Sequence, residues 1–105
     1  MQPAVPLQID EAEWDEHNLS RRPERGMTPS LVTKILSDEP LFRENQPDRT
    51  GDYLMIGSDS NGRFWTVVFI YLGEKRCRPI SGWPSTVSQR HWYAQNQAQK
   101  ENQDG

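Results

Sequence analysis

Cysteine is almost missing from this sequence. Cys77 stands alone, so no intrachain disulfide can form, no Cys-rich zinc site can be assembled, and a reducing compartment is expected. Histidine is nearly as scarce: His17 and His91 are too few for a His-based metal site, and Asp15 and Glu16 beside the first read as helix-start charges rather than ligands. No apolar run approaches the ~18 residues of a membrane span, and the amino terminus lacks a basic segment followed by an apolar one. A cytoplasmic protein without membrane association is therefore expected. Walker and dinucleotide-type glycine patterns are absent, as are HExxH and GxSxG, which removes the common nucleotide, zinc-protease and serine-hydrolase signatures. No cofactor and no metal is expected.

The 105 residues, 33% of them apolar, fit one domain over 1–105 that holds a self-sufficient core but leaves part of its length outside it. Residues 1–6 carry two prolines without periodicity, and 98–105 close a Gln/Asn-rich tail, so both ends are expected to fray. Net charge is −3, but it is segregated. Residues 1–20 hold Asp10, Glu11, Glu13, Asp15 and Glu16 with no Lys or Arg, whereas 63–100 hold six bases against Glu74. Such asymmetry marks a nucleic-acid surface or simply a solvated mixture of charges. In the first case the Asp10–Glu16 segment is expected to fold near the basic strand and compete with the nucleic acid there.

Local patterns give an α+β fold. Leu7 to Trp14 alternates weakly, as a short edge strand does, and residues 15–22 read as a brief helix ending before Pro23. Thr28 as N-cap, Pro29 at the first helical position and a Met27/Val32 staple open a helix whose apolar face is Leu31, Val32, Ile35 and Leu36, stopped by Pro40. Pro40 to Gly51 is polar and reads as a loop carrying Arg43 and Arg49. A three- to four-stranded antiparallel sheet follows, with a meander over 52–57, 64–72 and 75–81. Asn61-Gly62 supplies its first turn. The continuous apolar run Phe64–Leu72 reads as a central strand buried on both faces. Pro79 marks the third strand as an edge or a bulge, with Arg76, Arg78 and Ile80 on one face. Thr86 and Gln89 form a capping box that opens a last helix through about Gln97.

What chemistry is left rests on arginine and aromatics. A metal-free ribonuclease needs a base for the 2′-hydroxyl, cations for the pentacoordinate phosphate and an acid for the leaving oxygen. Arg63, Arg76 and Arg78 lie on or beside adjacent strands. Trp83, Trp92 and Tyr93 either stack bases or pack the last helix on the sheet, with packing favoured for Trp92. His17 or His91 is a candidate for proton transfer, as imidazole is the side chain suited to it near neutral pH, although for either one alone a surface histidine is the better reading.

Several phrases occur in a familiar order: Glu13-Trp14-Asp15-Glu16-His17-Asn18, Arg25-Gly26-Met27-Thr28-Pro29, Asp52-Tyr53-Leu54-Met55-Ile56-Gly57, Asn61-Gly62-Arg63 and Arg78-Pro79-Ile80-Ser81, then a helix with Arg90 and Tyr93. From Trp14 to Tyr93 the chain resembles the BrnT family of toxins. The resemblance implies a RelE-like fold, N-terminal helices and a C-terminal helix on the sheet, metal-independent endoribonuclease activity, and a cognate ribbon-helix-helix antitoxin as partner. It implies Arg63, Arg78 and Arg90 as catalytic; beside them His17 or Tyr93 is expected to move protons, and Arg49, Arg76 and Trp83 are the expected RNA contacts. The chain also departs from the family pattern: Arg25-Gly26 replaces His-Gly, Trp83 stands where a basic residue is usual, and Gln89 replaces Glu. A catalytically degenerate relative that binds RNA or protein is the alternative these departures suggest.

Overall fold

The computed structural model describes residues 3–15 and 28–104, with side chains up to Ala98. Its elements are β1 (Glu11–Ala12), α1 (Pro29–Ser37), β2 (Leu41–Glu44), β3 (Tyr53–Ser58), β4 (Phe64–Gly73), β5 (Arg76–Pro84) and α2 (Val87–Asp104). The strands form one sheet in the order β1-β5-β4-β3-β2. The fold is thus α+β, but the sheet is five-stranded and mixed rather than a three- to four-stranded antiparallel one. β1 runs parallel to β5, with Glu11 opposite Arg76 and Ala12 opposite Cys77, while the other neighbours are antiparallel.

The meander forms where turn chemistry and burial agree. Asp59 organises the β3–β4 turn: its Oδ1 accepts from the backbone of Asn61 (2.8 Å) and Arg63 (3.0 Å), its Oδ2 accepts from the Trp65 indole (3.0 Å), and Gly62 adopts φ +78°. β4 is central, and Trp65 to Phe69 are all buried, as a strand covered on both faces must be. The register between β4 and β5 shifts after Val68/Ser81 so that Phe69 faces Pro79. This is the irregularity that a proline without an N–H imposes on a paired strand.

Two segments differ from the sequence expectation. The stretch after Pro40 is not a loop throughout, because Leu41–Glu44 pairs with Tyr53–Ile56 as the outer strand β2. Its two adjacent apolar residues serve opposite faces, Phe42 in the α1-side core and Leu41 in the α2-side core, and so show no alternation. The last helix runs to Asp104 rather than to about Gln97, since a Gln/Lys/Glu-rich segment without Gly or Pro has no helix breaker. Within Leu7–Trp14, the residues in strand conformation are Glu11 and Ala12. The brief helix expected over 15–22 falls outside the described residues beyond Asp15, as does Met27 of the staple.

The helices cover the two faces unequally. Helix α1 is capped by Thr28, whose Oγ1 accepts from the Leu31 amide at 3.2 Å, and it ends before Glu39 at φ +53°, just ahead of Pro40. It seats Val32 and Ile35 on a core of Phe42, Met55, Trp65, Val67, Phe69 and Cys77. A Cβ on Gly57 would lie 2.9 Å from Ile35 Cγ2, so the helix needs glycine beneath it to approach this closely. On the opposite face, α2 buries Trp92 against Leu41 and Ile56, which leaves the β5 side of that face open.

Candidate functional site

The open part of the α2-side face is a cleft of about 740 Å³, lined among others by Arg43, Arg49, Leu54, Val68, Trp83 and Gln89. That volume is within the usual range for small-ligand sites. Its floor follows from the register: Leu54 pairs with Val68 and with Arg43, and Thr66 pairs with Trp83. Directly opposed residues share a face, which places Arg43 and Trp83 on the two sides of one apolar strip.

The β2–β3 loop forms one wall and is fixed by its own polar groups. Asn45 donates from Nδ2 to Thr50 O (3.0 Å) and Gly51 O (3.3 Å), and its Oδ1 accepts from Gln46 N (2.9 Å). Arg49 N donates to Gln46 O at 3.0 Å across the turn containing Pro47. Gly51 at φ +98° touches the floor so closely that a Cβ there would stand 2.3 Å from Val68 Cγ1. Arg49 is therefore presented from a loop pinned at both ends.

Arg43 lies with its guanidinium carbon 5.3 Å from the centroid of the Trp92 ring. This cation–π contact holds the half-buried side chain against the helix. Burial lowers its pKa from the ordinary value, and its Nε is buried without a hydrogen-bond partner among the described residues. Neither Arg43 nor Arg49 has a carboxylate partner among the described residues. Opposite them, the start of α2 is closed by the expected reciprocal box: Gln89 Oε1 accepts from Thr86 N at 2.9 Å, and Thr86 Oγ1 accepts from Gln89 N at 3.2 Å. The same Gln89 oxygen accepts from the Trp83 indole at 3.3 Å, which orients the ring at the rim. Two planar cations and an aromatic face in one cleft suit a phosphate-bearing ligand with a stacking ring.

The residues named from the sequence are dispersed. Arg49 and Trp83 line the cleft. Arg76 and Arg78 lie on β5, nearer β1, and are ion-paired with Glu13 and Asp15 respectively, so the described part of the acidic segment does fold onto the basic strand. Arg63 is exposed beside the β3–β4 turn, seven residues before Ile70, the partner of Arg78. That is roughly 23 Å along the strand at ~3.3 Å per residue. Arg90 is exposed on α2. Tyr93 packs on Phe64 with ring centroids 4.9 Å apart and donates from its hydroxyl to Glu39 O at 3.3 Å. His17 lies outside the described residues, and His91 is exposed on α2 and does not line the cleft.

Arg63, Arg78 and Arg90 thus do not converge, and none of them lines the cleft. The residues that sequence reasoning passed over are Arg43, placed in a loop, and Gln89, read as a cap alone. The signal for Arg43 was its place two residues after Leu41, on the same side of a strand. No family model, curated protein or solved structure gives a significant match to this chain.

Proposed function

We propose that this chain is a BrnT-like domain of RelE-like type that binds single-stranded RNA in the Arg43–Arg49–Trp83 cleft, working in the cytoplasm. Of the two readings the resemblance offers, the binding module is favoured over the endoribonuclease toxin. The observation that carries it is the sorting of the arginines: the two in the cleft have no carboxylate partner among the described residues, while Arg76 and Arg78 are paired. A backbone phosphate is the natural partner for such guanidinium pairs. Trp83 offers a base-stacking surface without sequence preference of its own. Cleavage asks for more, namely a base and an acid flanking the phosphate, and among the described residues no imidazole lines this cleft.

The test is titration of fluorescently labelled octaribonucleotides at several salt concentrations in the presence of a chelator, with RNA integrity read from the same samples. Two phosphate contacts give a log–log salt slope of about −1.4, at about −0.7 per phosphate on single strands. Arg49→Ala should flatten that slope by about 0.7, and Trp83→Ala should weaken binding about tenfold at all salts. Absence of binding at low salt, or binding indifferent to both substitutions, overturns the assignment. Metal-independent cleavage abolished by Arg78→Ala would restore the toxin reading, and with it the ribbon-helix-helix antitoxin.

A further inference from the structure

Gln89 does more than cap a helix. Three donors converge on its Oε1: the Thr86 backbone N–H at 2.9 Å, the Thr66 hydroxyl at 2.8 Å and the Trp83 indole N–H at 3.3 Å. Two of these can only donate, so the amide orientation is determined by its partners and the oxygen must sit where it is. The Thr66 hydroxyl is aligned in turn by Ser85 Oγ at 2.8 Å, both residues being buried. With its proton given to Gln89, Thr66 accepts from Ser85. The oxygen is therefore fully used. The nitrogen, Nε2, has two N–H groups and no partner among the described residues, at the end of a side chain that lines the cleft.

We infer that Gln89 presents this amide N–H to the bound base and selects bases with a carbonyl at the pyrimidine 4- or purine 6-position, uracil and guanine, over cytosine and adenine. The inference rests on the RNA-binding reading of the same cleft and deepens it. A glutamine with both amide ends available reads adenine, accepting from N6 and donating to N7 together. This one has no oxygen left to accept with. Where the base presents its 4- or 6-substituent, an exocyclic amino group meets the Nε2 donor head-on and leaves only the ring nitrogen beside it to accept, whereas uracil O4 or guanine O6 completes the bond directly. Among the other lining side chains Arg43 and Arg49 are donors as well, the Asn45 amide is committed to its own loop, and Glu44 alternates to the opposite face with its strand partner Tyr53. Glutamate at this position would keep the cap through one oxygen and turn the other, an acceptor, towards the ligand.

The experiment compares binding of rU8, r(GU)4, rC8 and rA8 to the full chain by fluorescence anisotropy, for the wild type and for Gln89→Glu. The wild type should bind rU8 and r(GU)4 about tenfold more tightly than rC8 and rA8, the discrimination expected for one good base-edge contact. Gln89→Glu, which retains the reciprocal cap that glutamate normally makes, should abolish or reverse that ratio. Octamers bound within twofold of one another by the wild type, with affinity still lost in Trp83→Ala, overturn this inference and leave RNA binding standing. Selectivity unchanged in a folded Gln89→Glu also overturns it. No binding of any octamer removes both. The wild-type comparison needs no variant, so a misfolded Gln89→Glu would still leave a decisive result.

Discussion

Replacing Glu13 by Gln and Asp15 by Asn together removes the two carboxylates that cover the basic strand, and the consequences for stability and for RNA binding have opposite signs. Glu13 pairs with Arg76, and Asp15 pairs with Arg78 through both terminal guanidinium nitrogens, the longer contact being 3.4 Å. The side chains are 38% and 45% exposed in the first pair and 33% and 48% in the second. Each pair is accordingly worth about 0.2–1 kcal/mol after solvent screening. Loss of both should cost about 1 kcal/mol and lower Tm by roughly 4–8 °C in a domain of this size. The same change frees two cations on the sheet face that continues from the cleft: Arg78 sits opposite Ile70, four positions along β4 from the Thr66–Trp83 pair. Two added phosphate contacts steepen the log–log salt slope by about 1.4. The assay is thermal melting beside anisotropy titration of rU8 from low to moderate salt. Asp10→Asn with Glu11→Gln serves as a control that alters net charge equally while leaving both ion pairs intact. A less stable protein that binds RNA more tightly and with a steeper slope, beyond the change in the control, is the expected outcome. A drop in Tm with slope and affinity matching the control would refute the reasoning and leave β1 and the carboxylates that follow it, Glu13 and Asp15, a purely structural edge.

Two further outcomes follow from groups away from the cleft. Cys77 is buried between β5 and its neighbours, and burial pushes its thiol pKa up to about 12. At pH 8 only about one molecule in ten thousand carries the reactive thiolate, so an aromatic disulfide reagent should label Cys77 in urea but not in the native protein, and rapid native labelling would contradict that burial. The Asp59 carboxyl is held below its ordinary 3.8, first by the Trp65 indole and then by the Arg63 and Asn61 amides. A depressed carboxylate pKa stabilises the fold above the unfolded-state value and loses that contribution as pH falls through the folded-state value. Asp59→Asn, which turns a donor towards the Trp65 N–H, should lower the urea midpoint at pH 7, and the gap to wild type should close below about pH 3.8. A gap independent of pH would assign the effect to turn geometry instead of charge.

The parts of this molecule that were legible in its sequence are those whose cause is local. Asn61-Gly62 between two apolar runs, Pro79 within a basic strand, Pro29 after Thr28, and Thr86 three residues before Gln89 each specify a conformation through neighbours a few positions away, and each is found as a turn, a bulge, a capped helix start and a reciprocal box. Strand order is not of that kind. β1 meets β5 across more than sixty residues, and the segregation of acids from bases along the chain signalled only that the two segments attract, not that they would lie parallel and in register. The cleft was hidden for the same reason. Arg43 and Arg49 come from the first hairpin of the meander, and Trp83 and Gln89 from its far end and the helix beyond. They converge because β4 and β3 separate β5 from β2, and because α2 returns over the β2 side of the sheet. Within that frame, the partners available at each strand end divide one residue type into two roles. Arg76 and Arg78 emerge beside β1 and find carboxylates, whereas Arg43 emerges beside an indole ring, which holds a cation in place without neutralising it. An arginine positioned by an aromatic ring keeps its charge available for a ligand, and for that reason the cleft, rather than the more strongly basic strand, is where an anion has most to gain.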